Sequence, residues 1–194
     1  MTDSNRTAFD NIAIEDTQKW LLEAVVGLNL CPFAKSVVVK DMVRYRVCAS
    51  AEPADLLALL RDELQHLAEA DPDQLDTTLL IAPNALPDFL DFNDFLADCD
   101  DVLMDLELDG VLQVADFHPR YQFGGTDMDD IENFTNRTPY PTLHLLREAS
   151  IDKAVEAYPD ASLIFERNME VLNKLGRAGW ERLGVQARFS GKQG

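Results

Sequence analysis

The stretch VLQVADFHPRYQFGGTDMDDIENFTNRTPYPTLHLLRE, residues 111–148, decides the fold, because each of its ends is an apolar run that must either join a sheet or cover one. At the front, Val111–His118 carries Val111, Val114 and Phe117 between Gly110 and Pro119, which reads as a strand. Pro119 has no N–H to continue the ladder, so the strand stops at His118. At the back, Pro141 suits the first turn of a short helix running to Glu148. His144, Arg147 and Glu148, three and four residues apart, would share one face of it.

Outward from that stretch, Pro87 opens a helix in which Phe89, Phe92, Leu96, Cys99, Leu103 and Leu106 recur at alternating spacings of three and four. Asp88, Asp91, Asp94, Asp98, Asp101 and Asp105 fall on its other faces and read as a solvated surface, since they lack the glycine and closing glutamate of a calcium loop. Thr77–Ala82 is an earlier strand, and Leu56, Leu60, Leu64 and Leu67 line a helix that begins at Pro53. Met42–Ala49 is the first strand. Each strand is followed by a segment long enough to hold a helix, which favours parallel pairing through right-handed crossovers. The expected fold class is α/β, with a small, mainly parallel sheet of three or four strands built on a β-α-β-α-β core; α+β is the alternative. Asp16 or Thr17 would cap a helix carrying Trp20, Leu21, Ala24 and Val25, and a last helix would run from about Ala161 to Leu183. Residues 1–15 and 185–194 read as flexible tails around a single domain at 16–184.

The chain has 194 residues and a formal net charge of −18, from 17 Lys and Arg against 35 Asp and Glu. That balance excludes a nucleic-acid partner, whose phosphates need a basic surface, and equally an anionic membrane face. No apolar run reaches the roughly 20 residues needed to span a bilayer. Three cysteines with no C-x-x-C spacing do not make a disulfide framework or a compact metal site. A cytoplasmic protein is the expectation; its oligomeric state and any cofactor stay open.

Polar groups that are costly to bury gather in 116–148. Asp116 and His118 share a strand face at the carboxyl end of the strand, where open α/β sheets bind ligands. His118 is thus the candidate acid–base group, with Asp116 orienting it. Arg137, in a turn of Asn and Thr, is the candidate anion anchor, with Arg147 beside it. Tyr121, Asn136 and His144 would complete the pocket. Asn168 lies inside an apolar stripe of the last helix with Ile164, Val171, Leu172 and Leu175, so its amide must brace a loop or reach the site. Cys31, followed by Pro32, is the candidate thiol.

The strings NLCPFA at 29–34, FHPRYQF at 117–123, TNRTPYPTLHLLRE at 135–148 and ERN at 166–168 resemble a bacterial family known as domain of unknown function 1415. The resemblance covers about residues 17–183 and implies a small bacterial protein, bringing no activity or cofactor with it. Locally, CPFAK at 31–35 also resembles the first active-site turn of omega-type glutathione transferases and some glutaredoxin-like proteins, although a helix precedes it here where those have a strand. The residues themselves support a small enzyme acting on an anionic metabolite by histidine acid–base chemistry. Two alternatives stand beside it: a non-catalytic ligand-sensing or protein-interaction module, and a thiol- or metal-dependent site using Cys31.

Overall fold

Leu143 and Leu145 alternate with Thr142, His144 and Leu146, and this two-residue period governs the segment after Pro141. The computed structural model describes residues 3–157 and 163–188, and in it Thr142–Arg147 is a strand, β4. It joins Val43–Val47 (β1), Thr77–Ile81 (β2) and Leu112–Phe117 (β3) in one sheet of order β1-β2-β4-β3. β1 is parallel to β2, whereas β4 is antiparallel to both of its neighbours. The first three strands therefore run in one direction, as helical crossovers require. β4 is inserted against them, so the sheet is mixed, with one parallel pair, and not mainly parallel. The physical reason is that the segment has apolar side chains on both faces. A central strand buries both and pairs both edges, while a single helical turn or two would bury one stripe and leave its end groups unpaired.

Pro53–Glu69 (α3) and Phe89–Asp105 (α4) cover one face, where Leu56, Leu60, Leu64, Phe92 and Cys99 pack with Leu143 and Leu145. On the opposite face, Leu79 and Phe117 pack with Trp20, Leu30, Leu172 and Trp180. This layer comes from Asp3–Trp20 (α1), its π-helical continuation Leu21–Val26, and Ile164–Leu183 (α6). Ala34–Val39 (α2) and Glu148–Ala157 (α5) are short connections. α6 kinks at Gly176, whose backbone (φ 64, ψ 171) leaves the helical region. The part of the last helix expected before Leu163 lies outside the described residues.

The first helix starts at Asp3, in a segment expected to be a loose tail, so neither Asp16 nor Thr17 is a cap. Thr17 instead bonds back to the Ala13 carbonyl (2.8 Å), and Asp16 is 6% exposed. The Asp16 carboxylate accepts from the Tyr140 hydroxyl (2.8 Å) and the Arg188 backbone N–H (2.9 Å). That pairing holds residues expected to fray: Val185 is buried in the Trp20 layer. On the edge strand, Arg44 and Arg46 both grip the buried Glu63 of α3, at 2.7 and 2.8 Å. No helix among the described residues is long and apolar enough to cross a membrane.

Candidate functional site

His118 emerges from β3 into full burial, with its ring between Phe89 and Phe92 of α4 (centroids 5.5 and 5.1 Å away). Nε2 lies 3.1 Å from the Leu86 carbonyl oxygen, and Nδ1 accepts the Arg120 backbone N–H at 3.0 Å. Those two partners fix the neutral tautomer with the proton on Nε2. Burial pushes the imidazole down to about 4, with the hydrogen bond to the Leu86 carbonyl pulling the other way. The Leu86 residue held this way sits at φ 52, a left-handed conformation that a branched side chain adopts only at a cost. Asp116 bonds to neither ring nitrogen. His118 is therefore a brace that ties the end of β3 to the entry of α4, and its ring has no free nitrogen for a substrate.

The loop beyond it is stapled from within. Arg137 sends Nε to the Tyr121 carbonyl (3.1 Å) and Nη2 to the Met128 carbonyl (2.6 Å), over the Phe134 ring at 4.4 Å. Two of its five donors are spent on backbone and the guanidinium lies over Phe134, so the side chain that would anchor an anion already staples the loop. Asn133, in the 3₁₀ turn Ile131–Asn136, is fully buried. Its Oδ1 accepts from the Phe123 N–H (2.9 Å) and the Thr126 hydroxyl (2.8 Å), and its Nδ2 donates to the Asp127 carbonyl (2.8 Å). Sequence reading passed over this residue, although a buried amide in an Asx-rich turn has a physical signature. Asn133→Ala should cost about 2–3 kcal/mol in urea denaturation and raise amide exchange across 123–127 selectively. A fall spread evenly over the chain would contradict the staple.

What remains open at the carboxyl end of β3 is Asp116 with Tyr121 and Asn136, and Arg120 lies next along the chain. Asp116 is half-buried, its backbone carbonyl taking the Asn136 amide at 3.4 Å. Burial raises its carboxyl pKa, only partly offset by its own backbone N–H. Tyr121 faces Asp116 and Asn136: burial and then the Asp116 charge push its hydroxyl up, and the Asn136 side chain holds it down. Phe89 and Phe123 flank the Tyr121 ring, each at 5.0 Å. Arg120, which sequence reading missed, is 54% exposed and meets Asp88 only at 3.7 Å. Such a pair is worth about 0–1 kcal/mol, so the guanidinium is available. Arg120 and Arg177 both lower the Arg137 pKa, after burial as the main cause, so three guanidinium groups share one field on a strongly acidic chain.

The sequence family described as "Protein of unknown function (DUF1415)" matches residues 12–182. The chain belongs to that family. No curated protein and no solved structure matches it. The DUF1415 span takes in the whole sheet and the β3 loop, and it stops short of the Arg188 clamp on Asp16.

The remaining candidates of this DUF1415 chain do not join Asp116. Arg147 and His144 sit on opposite faces of β4, since three residues of strand reverse the side chain. Arg147 turns to the end of α3, where it bonds the Leu67, Ala70 and Leu75 carbonyls. His144 turns to the Trp20 layer, opposite Leu79 and Ala115. Asn168 and Cys31 also lie there: Asn168 donates to the Leu30 carbonyl at 2.9 Å, and half-buried Cys31 packs on the same cluster. Cys31 does not cap α2, which begins at Ala34 after Phe33. Among the described residues no group of His, Cys, Asp and Glu has the arrangement of a metal site.

Proposed function

We propose that this chain binds a small anionic molecule at the carboxyl end of β3 and acts on it by proton transfer. Asp116, with its raised pKa, replaces His118 as the acid–base group, and Arg120 holds the anionic end. Tyr121 and Asn136 position the reacting part between them. The observation that supports this best is Asp116 itself, a half-buried carboxyl with no hydrogen bond to another side chain among the described residues. A carboxylate that served only the fold would be paired, because leaving it unpaired is costly. Carboxyls tuned upward in this way are the usual general acids of enzyme sites.

Thermal melting against inorganic phosphate, pyrophosphate and a set of mono- and dicarboxylic acids tests the reading, with wild type and Arg120→Ala side by side. A ligand at 100 times its dissociation constant adds about 2.7 kcal/mol of stability. The expected result is a stabilising anion whose affinity falls at least tenfold in Arg120→Ala. With that compound as substrate, Asp116→Asn should lower turnover by about 10²–10⁴-fold and leave its binding within a few-fold. Equal stabilisation of wild type and Arg120→Ala by the same anion would remove the site from β3.

A further inference from the structure

The two edges of the sheet are finished differently. At β3, backbone groups that point away from β4 are taken up by neighbouring segments. Leu112 gives its N–H to the Leu108 carbonyl (3.0 Å), His118 gives its own to the Asn136 carbonyl (3.1 Å), and the Asn136 amide reaches the Asp116 carbonyl (3.4 Å). At β1 nothing comparable happens. The Met42 carbonyl accepts from the Thr77 N–H (3.3 Å) and the Cys48 N–H donates to Ile81 (2.8 Å), so Arg44 and Arg46 between them also bond to β2. In a parallel ladder the alternate residues then point outward. The N–H and C=O groups of Val43, Tyr45 and Val47 therefore form an open row, and no described residue bonds to them. An unpaired row of this kind is a template for one more strand.

The side chains beside that row decide which strand it takes. Arg44 and Arg46 stand on the α3 face, where they share one carboxylate, Glu63. Arg44 gives it two N–H groups and Arg46 one, out of five each. Their side chains are 35% and 45% exposed, so the remaining donors are open to a partner. Two guanidinium groups on one carboxylate leave a positive charge. Lys35 and Lys40 precede them, with only Asp41 in opposition. This is a basic edge on a chain of net charge −18. Val43, Tyr45 and Val47 lie on the other face, half-buried against the clusters around Trp20 and Tyr140.

A second copy of the chain does not suit this edge. In a two-fold antiparallel pair centred on Tyr45, Arg44 of each copy would stand opposite Arg46 of the other. The neighbouring registers set Arg44 against Arg44, or Arg46 against Arg46. Like charges directly opposite one another destabilise a pair of strands. From this edge we infer that β1 is a docking site for an extended acidic segment of another protein, which adds to the sheet as a fifth strand. Its backbone pairs with Val43, Tyr45 and Val47. Its carboxylates, at every second position, meet Arg44 and Arg46, and the positions between them are apolar. The backbone bonds are indifferent to sequence, so the arginine forks supply the selection.

Two blocked heptapeptides test this, one alternating glutamate with valine and the other lysine with valine, each titrated into ¹⁵N-labelled protein. The acidic peptide should slow amide exchange at Val43, Tyr45 and Val47, and change it far less at Arg44, Arg46 and Cys48, which already bond to β2. The lysine peptide should protect none of them. Arg46→Gln should weaken binding of the acidic peptide about tenfold. Val47→Pro removes one outward N–H and no bond of the β1–β2 ladder, so it should fold as the wild type does and also bind about tenfold more weakly. If Arg46→Gln fails to fold, Val47→Pro carries the test alone. Equal protection by both peptides, or none by the acidic one, overturns the proposal. So does protection of the same three amides when the protein's own concentration is raised, with a dimer in sedimentation, since the edge then belongs to a second copy. Arg120→Ala should leave peptide binding unchanged, which separates this result from the fate of the anion site.

Discussion

Arg147→Met should remove about 3 kcal/mol of stability in urea denaturation, among the largest losses expected from a single exchange outside the apolar core. The wild-type side chain donates Nε to the Leu75 carbonyl (3.2 Å) and Nη2 to those of Leu67 (2.6 Å), Ala70 (2.9 Å) and Leu75 (3.2 Å). α3 ends at Glu69, so these are its orphan terminal carbonyls and the turn that follows them. A cation there also answers the negative end of the helix dipole, worth up to about 2 kcal/mol where partly buried. Methionine fills the space and supplies no donor, leaving half-buried carbonyls without partners. Arg147→Lys restores the charge but cannot span three carbonyls with one ammonium, so it should recover roughly half of the loss. A change below about 0.5 kcal/mol in Arg147→Met would show that water satisfies the carbonyls equally well. Neither variant should alter anion affinity at Arg120 once the protein is folded.

Arg147 also shows which parts of the fold its sequence reveals. α3 and α4 are plain because their apolar residues repeat with the helical period over several turns and their polar residues face water. β4 hides because Pro141 and the three-residue gap between His144 and Arg147 imitate a helix start. Six residues are too few for the two-residue and 3.6-residue periods to separate. The early part of α1 hides for the opposite reason: DSNRTAFDNIAIED is polar on most sides, and it is held by partners far along the chain, such as Tyr140 and Arg188 on Asp16.

The site divides in the same way. That chemistry-bearing residues gather between 116 and 137 is visible in the residue types, and the fold sets Asp116, Tyr121 and Asn136 beside one another while Arg137 turns to the Phe134 ring. The role of each depends on acceptors that no local pattern announces. His118 meets Leu86, 32 residues earlier, and Arg147 meets Leu67, 80 residues earlier. A histidine at a strand end looks the same in sequence whether its nitrogens face a ligand or a carbonyl. Arg120, by contrast, looked ordinary, and only the weakness of its Asp88 contact marks it as free.

The brace formed by His118 makes folding stability depend on pH in a defined window. In the unfolded chain the imidazole titrates near 6.5, and in the fold burial lowers this to about 4. Between those values the unfolded state binds a proton that the folded state refuses, so stability falls as pH drops from about 6.5 to about 4 and levels off below. At 1.36 kcal/mol per pH unit the loss amounts to about 3 kcal/mol. The molecular event is specific: a proton on Nδ1 would point at the Arg120 N–H and replace an acceptor with a second donor. His144 adds a loss in the same direction over the same window, reduced by its partial exposure. Asp116 works against both, because its raised pKa means that the folded state takes up its proton first. His118→Gln keeps an amide able to donate to Leu86 and cannot titrate. Its stability should be lower than wild type at pH 7 by about 1–2 kcal/mol, while its loss between pH 6.5 and 4.5 should be roughly half as steep. Urea midpoints at three pH values within that window decide it. A wild-type slope retained in His118→Gln would shift the acid sensitivity to His144, and the Leu86 turn would then owe its conformation to Pro87 and to Asp88, whose carboxylate caps α4 by accepting the Leu90 and Asp91 N–H groups.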